Sequence, residues 1–286
     1  MKRIVITGAS GYIGRHVYQY AKRYIDAKVV GIIRPGAQLP FNSSEDAILE
    51  LDVAKVVTNG VWQNFIQPED CLIHLAYRNG FDHNNASHLQ DLYWHYELIK
   101  QTIDAGCSNI NIMGTVHEIG YYEGKVTNET ICNPVTPYGI AKNALRQAVF
   151  ALLQSKDFSL KWFRGFYIYG DDASSNSIFG KIYRASKKSQ SQVQFDLTSG
   201  MNQFDFIHVE KLAQMISLAS VQTSVTGIIN TCSGKPMSLK NAVSKFVSDN
   251  DLNVKLNFGK YPERVAESPC IYGDNKIISD IMKQHR

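Results

Sequence analysis

Short apolar runs alternate with amphipathic stretches along the first two-thirds of the chain. The segments Arg3 to Thr7, Lys28 to Ile33, Cys71 to Leu75, Asn109 to Met113 and Ser159 to Phe166 have the length and composition of strands. Helical stretches begin at Tyr12, near Asn84 and at Pro137, each long enough to carry the chain back across a sheet. Strands that alternate with helices in this way predict an α/β fold built on a doubly wound parallel sheet.

After Tyr169-Gly170 the pattern turns polar and Ser-rich, with loops expected over Asp171 to Ser177 and Lys187 to Gln192. An apolar helix at Val209 to Val221 and a strand at Gly227 to Cys232 then fit a return to the main sheet. The expected division is residues 1–170 with 205–233 as the sheet domain, and 171–204 with 234–286 as a smaller C-terminal substrate domain.

With 286 residues, 44% of them hydrophobic, the chain can bury a sizeable core. The net charge of +4 is spread in ones and twos, which gives no stripe for a nucleic acid. Five scattered cysteines without a C-x-x-C pair read as reduced thiols. The apolar stretch before the first glycine is too short for a signal peptide, and no run reaches the ~18 residues of a membrane span. A cytoplasmic protein with no membrane or nucleic-acid partner is therefore expected.

Thr7-Gly8-Ala9-Ser10-Gly11-Tyr12-Ile13-Gly14 follows a predicted strand and opens a predicted helix, the context that a dinucleotide-binding turn of the Rossmann type requires. The glycines permit the tight turn, the approach of a pyrophosphate and close helix packing, while the helix start offers donors to the phosphates. Gly8, Ser10, Gly11, Tyr12, Ile13 and Gly14 are thus the first candidate cofactor residues. At the end of the second strand stands Arg34 rather than the acidic residue that would bind a free ribose, which favours a 2′-phosphate and hence NADP, with NAD as the alternative. Arg15 is placed to assist. Asp52 either faces the adenine or caps a helix starting at Ala54.

A Tyr-x-x-x-Lys pair places an ammonium one turn from a phenol on the same helix face. Seven pairs have this spacing: Tyr18/Lys22, Tyr24/Lys28, Tyr96/Lys100, Tyr121/Lys125, Tyr138/Lys142, Tyr183/Lys187 and Tyr272/Lys276. Only Tyr138/Lys142 begins a helix after Pro134 and Pro137 and follows a strand ending in Met113-Gly114-Thr115. That strand end is where a parallel sheet binds its ligands, so Thr115 and Tyr138 can both approach a carbonyl there, with Tyr138 as general acid or base.

These residues resemble the extended short-chain dehydrogenase/reductase family, which includes nucleotide-sugar epimerases, dehydratases and 4-ketoreductases. The likeness rests on Thr7-Gly8-x-x-Gly11-x-x-Gly14, His74-Leu75-Ala76, Gly114-Thr115, Pro137-Tyr138-Gly139-x-x-Lys142, Arg164 to Tyr169-Gly170, Asp205 to Val209, and Asn230 before Ser233-Gly234. It implies a triad in which Thr115 bonds the sugar oxygen, Tyr138 passes the proton and Lys142 holds the nicotinamide ribose, with Leu75 and Ala76 beside the cofactor. It further implies that the second domain binds a nucleoside diphosphate and that Arg264 clamps it. His117, Glu118, Asn176 and Lys181 complete the candidate substrate residues. Phe204 stands where relatives carry a diphosphate arginine, for which Lys181 or Arg184 would compensate.

Dehydratases of the family carry Asp-Glu directly after the Thr, and bifunctional epimerase-reductases a Cys; Val116-His117 stand here instead. The expected activity is therefore reduction of the C4 carbonyl of a nucleotide-linked 4-keto-6-deoxyhexose. A 4-epimerase and a non-catalytic dinucleotide-binding protein are the alternatives. His83, His88 and His95 are spaced by five and seven residues, which does not stack them on one helix face, so no metal site is expected. By the same resemblance a homodimer would form through the helices near Asn84 to Ala105 and Pro137 to Ser155, where Tyr93, Trp94 and Tyr96 read as packing or dimer contacts.

Overall fold

The computed structural model describes residues 3–38, 47–153, 158–170, 173, 175–188, 190–263 and 267–285. The chain runs β1 (Arg3–Thr7), α1 (Tyr12–Tyr24), β2 (Lys28–Ile33), β3 (Ala47–Glu50), α2 (Val53–Thr58), α3 (Val61–Phe65), β4 (Cys71–His74), α4 (Ser87–Gln90), α5 (Leu92–Asp104) and β5 (Asn109–Thr115). It continues through β6 (Gly124–Val126), α6 (Pro137–Leu152), β7 (Ser159–Gly165), β8 (Tyr167–Tyr169), α7 (Ile178–Ser186), β9 (Val193–Asp196), β10 (Gln203–His208) and α8 (Val209–Val221). The last elements are β11 (Gly227–Thr231), β12 (Pro236–Ser238), α9 (Leu239–Asp249), β13 (Val254–Asn257), β14 (Cys270–Gly273) and α10 (Lys276–Gln284).

Seven strands form one parallel sheet in the order β11-β7-β5-β4-β1-β2-β3. Its central strands are apolar without alternation because both faces are covered, as Ile4, Val5 and Ile6 in β1 show by being wholly buried. Val17 and Ala21 of α1 pack with Leu212 and Ile216 of α8 on one face. Leu98 and Ile99 of α5 and Leu145 and Val149 of α6 cover the other. The chain leaves β1 toward β2 on one side and resumes from β4 on the other, so a crevice opens at the carboxyl ends of these two strands.

The expected strands are present, β1 and β2 with the same bounds and β5 extended through Thr115. The four-residue β3 was not foreseen: at the sheet edge and partly exposed, it lacks a long apolar run. The helical stretch near Asn84 is two helices that meet at Asp91, whose carboxylate pairs with Arg78. His83 lies before both. Residues 171, 172 and 174 of the expected 171–177 loop, Ser189 of the next loop, and Ser155 lie outside the described residues.

The domain division differs at two places from the one expected. β10 joins a five-stranded sheet in the order β12-β10-β14-β6, with β8 also on β10, before α8 and β11 return to the main layer. At the end of the chain α10 also returns, because Ile278, Ile281 and Met282 form an apolar face that fills the core beside α8. The smaller layer has its own core, in which Phe179 and Ile182 of α7 meet Val243 and Phe246 of α9.

Asp205 ties the two layers. Its wholly buried carboxylate accepts from the Ser233 N–H at 2.8 Å, the Gly234 N–H at 2.8 Å and the Gly273 N–H at 3.1 Å. Asp205→Ala leaves three backbone donors without this acceptor, at ~1–3 kcal/mol for each one buried. A loss of about 3 kcal/mol or more in urea unfolding is expected; a loss under about 1 kcal/mol would show that water replaces the carboxylate.

Candidate active site

The glycine turn begins where Thr7 ends β1. Gly8 has φ +72°, which favours glycine, and a Cβ there would lie 2.7 Å from the Ala76 backbone. At Gly14 a Cβ would lie 2.0 Å from the Gly8 carbonyl oxygen. The turn is thus held tightly against the end of β4, where the Leu75 N–H donates to the Thr7 carbonyl at 3.1 Å and the Ala76 N–H to Thr7 Oγ1 at 3.3 Å. Helix α1 starts after Gly11, which has no side chain to cap its first N–H groups. Ser10, Gly11, Tyr12 and Ile13 therefore form an uncapped helix start at the sheet crevice, and a pyrophosphate fits such a start.

Arg34 is exposed just past β2. The Arg15 side chain is buried, with its guanidinium 5.4 Å from the centre of the Tyr12 ring. Asp52 caps α2, its Oδ1 accepting from the Ala54 N–H at 3.0 Å.

Helix α6 starts at Pro137, capped by Thr136 Oγ1, which accepts from the Gly139 N–H at 3.2 Å. That start aims the Tyr138 phenol at the Thr115 hydroxyl. One turn on, Lys142 is buried, donates to the Met113 carbonyl at 2.8 Å and lies 3.8 Å from the centre of the Tyr77 ring. Burial pushes the phenol of Tyr138 up to about 12, opposed by the nearby Thr115 hydroxyl. Burial also lowers the Lys142 ammonium to about 7. Tyr138 is therefore held in its neutral form and Lys142 near the balance between ammonium and amine, and a charge brought beside them is felt strongly.

Aromatic rings surround this pair, among them Tyr77, which the sequence did not single out. His83 lies parallel to Tyr138 at 5.0 Å between ring centres, and its carbonyl accepts the Tyr138 N–H at 3.0 Å. Tyr77 meets Tyr138 edge-on at 5.6 Å, His88 lies at 5.1 Å and His117 at 6.0 Å. Behind Tyr77, His95 stacks at 5.0 Å and is joined to His74 at 2.9 Å, which reaches Thr7 Oγ1 at 2.8 Å. His83, His88 and His95 thus come together around two tyrosines from three different places in the chain. Among the described residues no group of three or more His, Cys, Asp or Glu has the placement to hold a metal ion.

Several expected substrate residues stand elsewhere. Glu118 is wholly buried, its Oε1 accepting from Arg164 Nε at 2.7 Å and from Trp162 Nε1 at 3.1 Å, so its carboxylate belongs to the core rather than to a sugar pocket. Asn176 and Lys181 are exposed at the start of α7. Arg184 donates to the Ser175 carbonyl at 2.6 Å and holds the preceding loop. Arg264 lies outside the described residues. His117 lies beside these residues, its backbone N–H donating to Thr115 Oγ1 at 3.2 Å and its ring centre 6.0 Å from that of Tyr138.

A parallel sheet with a glycine turn at its crevice and a Thr-Tyr-Lys constellation opposite defines a nicotinamide-dependent enzyme class. A family model for the NAD dependent epimerase/dehydratase family matches residues 4–231, and the chain belongs to that family. The chain is 37% identical over 273 residues, 94% of this chain and 98% of the relative, to a dTDP-6-deoxy-L-talose 4-dehydrogenase (NAD(+)) of Aggregatibacter actinomycetemcomitans. Among solved structures, a UDP-N-acetylglucosamine 4-epimerase from Methanobrevibacter ruminantium M1 superposes with a TM-score of 0.83 at 18% identity, over 98% of this chain and 91% of that one. A UDP-glucose-4-epimerase from Stenotrophomonas maltophila gives 0.84 at 16% identity, over 99% and 93%. No helix among the described residues is long and apolar enough to cross a membrane.

Burial holds the His74 imidazole down at about 3 and that of His95 well below its usual value. The unfolded chain takes up protons at both sites below about pH 6.5 while the folded one does not, so stability falls with pH in that window. The expected slope is ~1.4 kcal/mol per pH unit for each imidazole. His95→Gln should remove one such increment between about pH 6.5 and 5 in urea titrations; an unchanged slope would mean that His95 is protonated in the fold.

Proposed function

We propose that the chain is an oxidoreductase acting at C4 of a nucleotide-linked 6-deoxyhexose, interconverting the 4-keto and 4-hydroxy forms with a nicotinamide cofactor. The observation that carries this reading is that Tyr138 faces the Thr115 hydroxyl while Val116-His117, not a pair of carboxylic acids, directly follow Thr115. Val116 is buried and apolar, and the Glu118 carboxylate is held by Arg164. Elimination of water needs a separate acid and base, whereas hydride exchange at one carbon needs only the triad.

The turn from Gly8 to Gly14 would hold the pyrophosphate and Lys142 the nicotinamide ribose. When bound, the nicotinamide exchanges hydride with C4. Tyr138 gives its proton to O4 during reduction and takes it back during oxidation, Thr115 holds O4, and the Lys142 ammonium stabilises the phenolate. The name of the 37% identical relative supports a dTDP-linked sugar and NAD. Arg34 alone supports NADP, while the Arg15 guanidinium lies over the Tyr12 ring. NAD is therefore the cofactor we propose.

A homodimer through α5 and α6 accompanies this reading, supported by an exposed apolar groove lined by Leu89, Leu92, Tyr93, Tyr96, Ala144 and Ala148. Tyr93, 56% exposed, lies in it. Tyr93→Glu should convert a dimer to a monomer in sedimentation; a wild-type monomer at micromolar concentration would refute the dimer.

NADH and NADPH oxidation with 4-keto-6-deoxyhexoses carrying dTDP, CDP or GDP tests the activity. Faster oxidation of NADH with the dTDP sugar is expected, and Tyr138→Phe should cut turnover by ~10²–10⁴ with dinucleotide binding nearly intact. Interconversion of C4 epimers by a protein that retains its dinucleotide and needs none added would make it an epimerase. Dinucleotide binding with no turnover of any sugar would make it a binding protein.

A further inference from the structure

Around Tyr138 two buried polar atoms, Tyr77 Oη and His88 Nδ1, have no hydrogen-bond partner among the described residues. They are of opposite kinds. His88 Nε2 lies 2.8 Å from the Asp82 carbonyl oxygen, which can only accept, so the neutral ring carries its proton on Nε2 and presents Nδ1 as a bare acceptor. Tyr77 Oη is a hydroxyl with a proton to give.

The two rings stack nearly parallel, 5.5 Å between centres and 10° in tilt. Both touch the Tyr138 ring, at 5.6 and 5.1 Å, and Lys142 Nζ lies 3.8 Å from the centre of the Tyr77 ring. Buried polar atoms without partners cost the protein stability, and they persist where binding supplies what is missing.

We propose that Tyr77 and His88 form a hydroxyl-binding subsite beside the proton-transfer pair: one ligand hydroxyl accepts from Tyr77 Oη and donates to His88 Nδ1. A hydroxyl is a small group that does both. A phosphate or carboxylate has no proton for the imidazole, and an ammonium has no lone pair for the phenol. The subsite rests on the function proposed above, in which two molecules carry such hydroxyls: the ribose of the dinucleotide and the hexose.

Tyr77→Phe keeps the ring and removes only the unpartnered atom. Without ligand its thermal midpoint should be unchanged or higher, since no bond within the protein is lost. NADH affinity, followed by fluorescence, or the KM for the sugar that the wild type reduces should weaken by roughly tenfold, the size of one hydrogen bond made on binding. A weaker NADH Kd with an unchanged sugar KM identifies the ribose, and the reverse identifies the hexose.

His88→Phe should act on the same constant. Because one hydroxyl bridges both atoms, the double variant should lose less than the product of the two single losses. Unchanged constants in Tyr77→Phe, a lowered midpoint for that variant without ligand, or fully multiplicative losses would each overturn the subsite. If the wild type turns over no nucleotide sugar, the proposed function fails and the subsite is judged on NADH affinity alone, where an unchanged Kd overturns it.

Discussion

The position of the candidate active site depends on a carboxylate that never meets solvent. Glu118, just past the end of β5, accepts from Arg164 Nε of β7 at 2.7 Å, with Arg146 of α6 a further 3.7 Å ion-pair partner. Arg164 in turn donates to the Thr127 carbonyl at 3.0 Å, beside β6, and lies 3.4 Å from Asn230 Oδ1 of β11. Removing one partner of such a buried pair costs ~3–5 kcal/mol, because the other charge is left without compensation. The turn that follows Thr115 is therefore fixed from below by charge, and Thr115 and His117 are presented above it.

The same burial sets the chemistry. With little water around Tyr138 and Lys142, the phenol is pushed up to about 12 and the ammonium down to about 7, and Glu118 is close enough to raise both. Desolvation makes each group a poor ion by itself, yet it also amplifies any charge that enters beside them. The pair is thus responsive to bound ligand. The ring of His83, parallel to Tyr138, and the face of Tyr77 beneath Lys142 keep both side chains in place.

Several residues that carry the family resemblance turn out to hold the scaffold. Asp205 gathers three backbone N–H groups, Asn230 Nδ2 donates to the Val126 carbonyl at 2.9 Å, and Arg164 closes on Glu118. Their presence specifies the fold and the triad more than the substrate. Tyr77, His83, His88 and His117 are the rings that surround Tyr138.

The sequence by itself determined the strand-turn-helix around Gly8, the bounds of β1 and β2, and the start of the helix that carries Tyr138 and Lys142 at Pro137. These depend on local rules: apolar runs, glycine conformation, proline at a helix start. The small edge strand β3 left no periodic signal. Only the tertiary structure decided that Glu118 belongs to the core, that α10 rejoins the main sheet, and that Tyr77, His83, His88 and His95 converge near one phenol. Sequence spacing orders side chains along one helix or strand, whereas those contacts join segments separated by loops, and only the packing of the whole sheet brings them within reach.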